Sequence, residues 1–202
     1  ETTSLNAMQA ELVGISLSVK KGEACYIPLT HKVDMLSTDI EQLDKSYVLE
    51  KLKPYLEDDT YTKIGQNLKY DMHIFNNEGL QINGFEDTML MSACLDGGLH
   101  GHGMDDLAEL HLGHTCISFK DVAGTGKKQK TFDEIAISDA TPYAAEDADI
   151  TLQLYNIFKE RMDSEENQGV KVLYETVERP LVPVLMRMEN EGVQVSRSDL
   201  EN

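Results

Sequence analysis

The chain has 202 residues, 18 Lys and Arg against 36 Asp and Glu, a formal net charge of −18 and an apolar share of 41%. That length suits one domain, or one domain and the edge of another. The acidic balance argues against broad phosphate-backbone binding through Lys and Arg, although acidic residues can gather metals that neutralise phosphate locally.

No run approaches the ~18 consecutive apolar residues of a membrane span, and no basic-then-apolar leader opens the sequence. The first residue is Glu1, inside sequence that reads as structured, so a fragment of a longer protein is expected. Cys25, Cys94 and Cys116 are odd in number and widely spaced. They match neither a disulfide framework nor a CxxC metal clip, which suits a reduced, cytoplasmic setting.

Residues 1–5 fit the end of a first strand. Residues 11–19 (ELVGISLSV) and 23–29 (EACYIPL) are rich in Val, Ile, Leu and Tyr, with Lys20-Lys21-Gly22 between them, and predict a β-hairpin. Residues 37–56 carry Ile40, Leu43, Tyr47, Leu49 and Leu52 at helical spacing, with an end expected near Pro54. A short strand is expected over 61–65 and a helix over 67–78, stopped by Gly79. Further helices are expected over 87–95 and 104–112, the latter with Asp105 or Asp106 at its positive end. Residues 118–129 read as a loop. Residues 138–162 read as a long helix with Pro142 in its first turn. Composition changes near 163. Residues 170–191 are helical in pattern but interrupted by Pro180 and Pro183, and a short extended piece follows. Hairpin strands first, helices later and one returning strand suggest a mixed sheet flanked by helices.

The long helix opens with TPYAAEDADITL at 141–152. Tyr143 and Asp147 are four residues apart and so share a face. Ala145, Ala148, Leu152 and Tyr155 form a second stripe expected to pack on the core. A carboxylate can hold a hard divalent cation, and a phenol beside it can hold or polarise a water. Asn67 and Asp71 repeat the four-residue step at a strand-to-helix junction, where many α/β sites lie. Together, Glu1, Asp71 and Asp147 offer three carboxylates from three elements, a supply suited to two divalent ions roughly 4 Å apart.

Four segments carry a resemblance to a known family: GQNLKYD at 65–71, DTML at 87–90, MDDLAE at 104–109 and YAAEDADITLQ at 143–153. They resemble the 3′–5′ proofreading exonuclease domain of bacterial DNA polymerases of family A, in that family's order and spacing. Residues 174–185 and 190–193 resemble the start of the same family's polymerase domain. The resemblance implies a ribonuclease-H-like exonuclease fold over residues 1–163. It implies a linker and the incomplete beginning of a polymerase domain over 164–202. The family's first motif is Asp-x-Glu. Glu1 matches its glutamate, and its aspartate would lie two positions upstream, outside this sequence. Asp71 and Asp147 match the remaining acids, so Glu1, Asp71 and Asp147 are the implied ligands of two divalent ions, Mg²⁺ with Mn²⁺ or Zn²⁺ able to substitute. Tyr143 matches the residue that orients the attacking water. Leu5 and Phe119 match apolar groups that wedge against and stack on terminal bases, and Gln66, Asn67 and Tyr70 are expected beside the substrate.

The implied reaction is hydrolysis of the 3′-terminal phosphodiester of single-stranded or frayed DNA, releasing nucleoside monophosphate, in a polymerase of replication and repair. The implied partners are that DNA end and the polymerase domain of the same parent chain. A monomer in the bacterial cytoplasm, at the nucleoid and away from membrane, is expected. The competing readings are an exonuclease of the same superfamily that trims RNA and a structural platform without activity. Two decoys stand apart. Gly124-Thr-Gly-Lys127 lacks the remaining positions of a phosphate loop and reads as a lysine-bearing loop touching substrate. His100, His102, His111 and His114 lack a closed zinc spacing and read as loop and helix-surface histidines.

Overall fold

The computed structural model describes residues 1–32 and 42–200. The predicted hairpin forms: β1 (Gly14–Lys20) pairs antiparallel with β2 (Glu23–Pro28) across a two-residue turn at Lys21 and Gly22. Gly22 supplies the positive φ of 79° that this turn needs. Gly14 answers a different demand, since a Cβ there would sit 2.2 Å from the Tyr26 hydroxyl. The expected first strand is reduced to one antiparallel bridge, Thr2 to Leu12. Around it the Glu1 backbone nitrogen donates to Gly14 O at 2.8 Å, and Val13 N donates back to Glu1 O at 2.8 Å.

Helix α1 (Lys45–Glu57) starts at Asp44, whose side chain accepts from Tyr47 N. It does not stop at Pro54, which the helix contains; the end comes at Asp58. The upstream part of that expectation, including Ile40, lies outside the described residues. Strand β3 (Lys63–Gly65) runs parallel to β4 (Phe85–Asp87), a strand the sequence pattern concealed. Between them runs α2 (Leu68–Asn77), closed by Gly79 at φ 77°. Helices α3 (Thr88–Asp96) and α4 (Met104–Leu112) stand where expected. The predicted loop at 118–129 instead contains α5 (Phe119–Ala123) and a 3₁₀ turn, Gly126–Lys128. Among the described residues the ladders are two separate two-stranded pieces rather than one continuous mixed sheet.

The organising element is α6 (Ile137–Asp163), which lies across both hairpin strands and packs on α3 and α4. Its buried residues include Ala140, Ala144, Thr151, Leu154, Phe158 and Met162. This stripe differs from the expected one: Ala145, Ala148, Leu152 and Tyr155 are only half-buried. Pro142 lies in the second turn, because the helix begins at Ile137. The N-terminal half of α6 closes a cluster with Val13, Tyr26, Phe132 and Ile135. The C-terminal half closes another with Met91, Leu107 and Tyr174. Phe158 and Leu154 are fully buried, and each contributes on the order of 2–3 kcal/mol by leaving water.

Beyond Asp163 the chain continues through α7 (Gln168–Leu173), a π turn at Tyr174–Glu178, and α8 (Arg179–Glu191), with α9 (Arg197–Leu200) at the end. Pro180 and Pro183 sit inside α8 rather than breaking it; the irregularity falls one turn earlier, in the π turn. This segment docks on the rest. Tyr174 is buried, donates to Glu86 Oε2 at 2.7 Å and accepts from Asp87 N at 3.0 Å. Arg179 donates to Glu86 Oε1 at 2.6 Å. Val182 joins Leu68, Met72 and Ile82, and Glu189 meets both Lys69 and His73. Among the described residues no helix is long and apolar enough to cross a membrane.

Candidate active site

The stripe buried along α6 passes through Ala140, Ala144, Thr151 and Leu154. Asp147 lies on the same face, three residues from Ala144 and four from Thr151. A carboxylate therefore stands where the helix period asks for an apolar side chain. Its Oδ1 is buried and has no hydrogen-bond partner among the described residues. Burial first, and then the charges of Glu1, Glu146 and Asp105, push the Asp147 carboxyl up to about 8. A lone buried carboxylate is costly unless paired with positive charge.

Glu1 reaches this place because the bridge at Thr2 pins its backbone to β1. A second anchor comes from α2: the Tyr70 hydroxyl bonds Ser4 O and the Thr2 hydroxyl. Asp71 is the next residue on α2. Burial pushes its carboxyl up to about 6, and the Glu1 carboxylate adds to the rise. Glu1 thus acts electrostatically on both Asp71 and Asp147.

Tyr143 stands one turn before Asp147 and is half-buried. Burial first, then Asp147 and Glu1, raise its phenol far above the usual range, so it stays protonated and able to donate. Its ring meets Phe119 edge-on at 6.2 Å and Phe132 at 5.9 Å. Phe119 is not in an irregular loop: it opens α5, stacks on Phe132 at 6.5 Å, and remains 38% exposed. Leu5 is 99% exposed, three residues past the bridge at Thr2.

The expected group on α2 divides. Tyr70 acts as the anchor just described. Gln66 is held structurally, donating to His102 O at 2.8 Å and accepting from the Thr88 hydroxyl. Asn67 takes a left-handed conformation at φ 56° and its side chain makes no capping bond. The capping role falls to Asp87, which sequence reasoning missed. One Asp87 oxygen accepts from Asn67 N and Met89 N at 3.1 and 2.9 Å, and the other from Leu68 N at 2.8 Å. A single buried carboxylate thereby caps both α2 and α3 and fixes the helix that presents Asp71.

Three more groups surround the site without having been foreseen. Asp105, in the first turn of α4, acts on both Tyr143 and Asp147. Glu146 accepts from Ile117 N at 2.6 Å and pairs with His114 Nε2 at 2.8 Å, tying the segment before α5 to α6. Cys116 is pushed up to about 12 by burial and by Glu146, Asp105 and Asp147, so it remains a thiol. Asp105 was visible as a helix-start residue, but nothing local linked it to Asp147.

The donor set fits a hard divalent cation. The oxygens are carboxylates, they repel one another, and one is buried without a partner. Positive charge delivered between Glu1, Asp71 and Asp147 would offset all three.

Residues 1–163 match the family described as 3′–5′ exonuclease. DNA polymerase I of Rhizobium leguminosarum is 47% identical over 214 residues, covering 99% of this chain and 21% of that protein. DNA polymerase I of Pseudomonas aeruginosa is 47% identical over 198 residues, covering 96% of this chain and 21% of that protein. The chain thus spans about a fifth of the length of these curated relatives. Among solved structures, the POL domain of Pol1 from M. smegmatis, in complex with DNA primer-template and dNTP, superposes with a TM-score of 0.69 at 19% identity, over 97% of this chain and 28% of that one. Brucella melitensis NrnC superposes with a TM-score of 0.67 at 16% identity, over 95% of this chain and 82% of that one. At those identities the likeness speaks to fold, and the α/β, ribonuclease-H-like exonuclease fold is the fold of this chain.

Proposed function

Because the chain belongs to the 3′–5′ exonuclease family, we propose that it is the proofreading exonuclease part of a bacterial DNA polymerase I, hydrolysing the 3′-terminal phosphodiester of single-stranded or frayed DNA. The observation that supports this reading is the electrostatic coupling of Glu1 to both Asp71 and Asp147, with the protonated phenol of Tyr143 one helical turn from Asp147.

Glu1, Asp71 and Asp147 would hold two divalent ions, Mg²⁺ or Mn²⁺. When bound, these ions offset phosphate charge and make a water acidic enough to attack at neutral pH. Tyr143, held protonated, would donate a hydrogen bond that orients the attacking water. Phe119, exposed at its edge and backed by Phe132 and Tyr143, offers a stacking surface for a base. Stacking is sequence-tolerant, worth ~1–3 kcal/mol per base, and suits an enzyme that must accept any terminal nucleotide. Leu5 wedges against the next base. Gln66, Asn67 and Tyr70 line the approach, with Gln66 and Tyr70 acting mainly by holding the strand and loop that frame it.

Residues 164–202 are the linker and the beginning of the polymerase domain, and the exonuclease family match ends at 163, the last residue of α6. The partners are the DNA 3′ end and the polymerase domain of the same chain, in the bacterial cytoplasm.

The test compares release of the terminal nucleotide from 3′-labelled single-stranded DNA and RNA with Mg²⁺ or Mn²⁺. The enzyme is a chain extended upstream to include the motif aspartate. Metal-dependent release of deoxynucleoside monophosphate, faster from DNA, is expected. Preference for RNA would favour the RNA-trimming alternative, and inactivity on both would favour the structural platform.

A further inference from the structure

Around the C-terminal ends of α3 and α4, three ligand-type side chains converge that no catalytic role absorbs. Asp96 ends α3, His100 follows in the loop, and His111 lies in the last turn of α4. Each offers one ligand atom, and the three atoms lie within 4.8 Å of one another.

The hydrogen bonding around them leaves a buried ring nitrogen without a partner among the described residues. His100 Nδ1 lies 2.7 Å from Gly101 O. A carbonyl only accepts, so Nδ1 carries a proton, and in the neutral imidazole Nε2 is the nitrogen with the lone pair. That Nε2 stands 3.6 Å from Asp96 Oδ2, too far for a hydrogen bond. His111 Nε2 is buried and has no partner among the described residues. Arg161 grips both Asp96 oxygens at 2.7 Å, which fixes the carboxylate and leaves each oxygen a further lone pair. A fixed carboxylate, one imidazole with its tautomer set by a carbonyl, and one unpartnered imidazole form the pattern of first ligands oriented by outer partners.

We propose that Asp96, His100 and His111 bind a zinc-class transition-metal ion, separate from the carboxylate site around Asp147. Two imidazoles and one carboxylate favour Zn²⁺ or Co²⁺ over Mg²⁺. Three protein ligands leave a fourth position for water. Zn–N bonds of ~2.0–2.1 Å set tetrahedral ligand atoms roughly 3.3 Å apart, so the ligand atoms need draw in by no more than about 1.5 Å. The intervening segment, GGLHGHG at 97–103, is rich in glycine and can supply that movement. Bound ion would clamp this loop to α4 and, through Arg161, to α6. The sequence hid the set because Asp96 does not belong to any His/Cys motif.

The test adds Co²⁺ to the chain in the presence of excess Mg²⁺, which keeps the carboxylate site filled. Visible absorption bands of a low-coordinate Co²⁺ complex, reaching one equivalent and bleached by Zn²⁺, are expected. His100→Ala and His111→Ala should each weaken Co²⁺ binding by more than the ~10–100-fold typical of an outer partner. Asp147→Ala should leave the bands intact, so this result is read independently of nuclease activity. Circular dichroism checks the fold of each variant, and His100→Ala, a loop change, carries the test if His111→Ala does not fold. Bands that persist in His100→Ala, bands lost in Asp147→Ala, or only the weak spectrum of six-coordinate Co²⁺ would overturn the proposal.

Discussion

Asp147→Asn keeps the shape of the side chain and removes its charge, so it should stabilise the metal-free protein while abolishing its response to divalent metal. In the native site the carboxyl is pushed up to about 8 from 3.8, chiefly by burial and by Glu1. By linkage, carrying that group in the folded state at about pH 7 costs at most about 4 kcal/mol. The side chain is partly exposed, and solvent screening reduces this to about 1–2 kcal/mol. The sign follows from proton uptake. An acid whose folded value lies above its unfolded value binds more protons when folded. The penalty is therefore absent below about pH 4, grows as pH rises, and levels off above about pH 8. Urea denaturation in chelator should show Asp147→Asn more stable than the parent at pH 7.5, with the gap closing toward pH 4. Saturating Mn²⁺ should reverse the order, since ligand at about 100 times its Kd adds ~2.7 kcal/mol to the parent alone. A pH-independent difference, or a loss of stability in the variant at pH 7.5, would refute the reasoning.

Other consequences can be measured in the same background. Tyr143→Phe should lower the rate of nucleotide release by roughly 10–100-fold with little change in the unfolding midpoint, because the ring packing on Phe132 is kept. An unchanged rate would remove Tyr143 from the chemistry. Asp87→Ala should cost about 1–4 kcal/mol, two caps at once, and unfolding should report it; a loss below about 0.5 kcal/mol would contradict the double cap. Tyr174→Phe removes the hydroxyl shared by Glu86 and Asp87 N, and should cost about 1–3 kcal/mol while raising hydrogen exchange in α8. Phe158→Ala should cost about 3–5 kcal/mol, as expected for a fully buried ring.

The site was legible where its logic is periodic. Tyr143 and Asp147 share a helix face by their spacing, and α4 and α6 lie within a residue of their expected limits. What periodicity obscured is the stripe itself. Reading Asp147 as polar, the pattern shifts the buried face to Ala145 and Ala148, whereas the helix buries Ala144 and Thr151 and takes the carboxylate with them. Short elements were lost for another reason. The three residues of β4 and five of α5 offer too little repeat to be seen, and their positions are set by tertiary partners. Asp87 looks like an ordinary helix-start residue; only the approach of α2 reveals that it serves two helices. Pro54 and Pro183 mislead because their helices continue through them. The roles of Asp105, Glu146 and Asp96 depend on residues far away in the chain, which no local pattern contains.

The most direct test of the central claim is metal-dependent release of the 3′-terminal nucleotide from labelled single-stranded DNA, by the upstream-extended chain and its Asp147→Ala variant side by side. The account predicts release of deoxynucleoside monophosphate by the first and none by the second. Equal release by both would contradict the assignment of Asp147, and with it the three-carboxylate site.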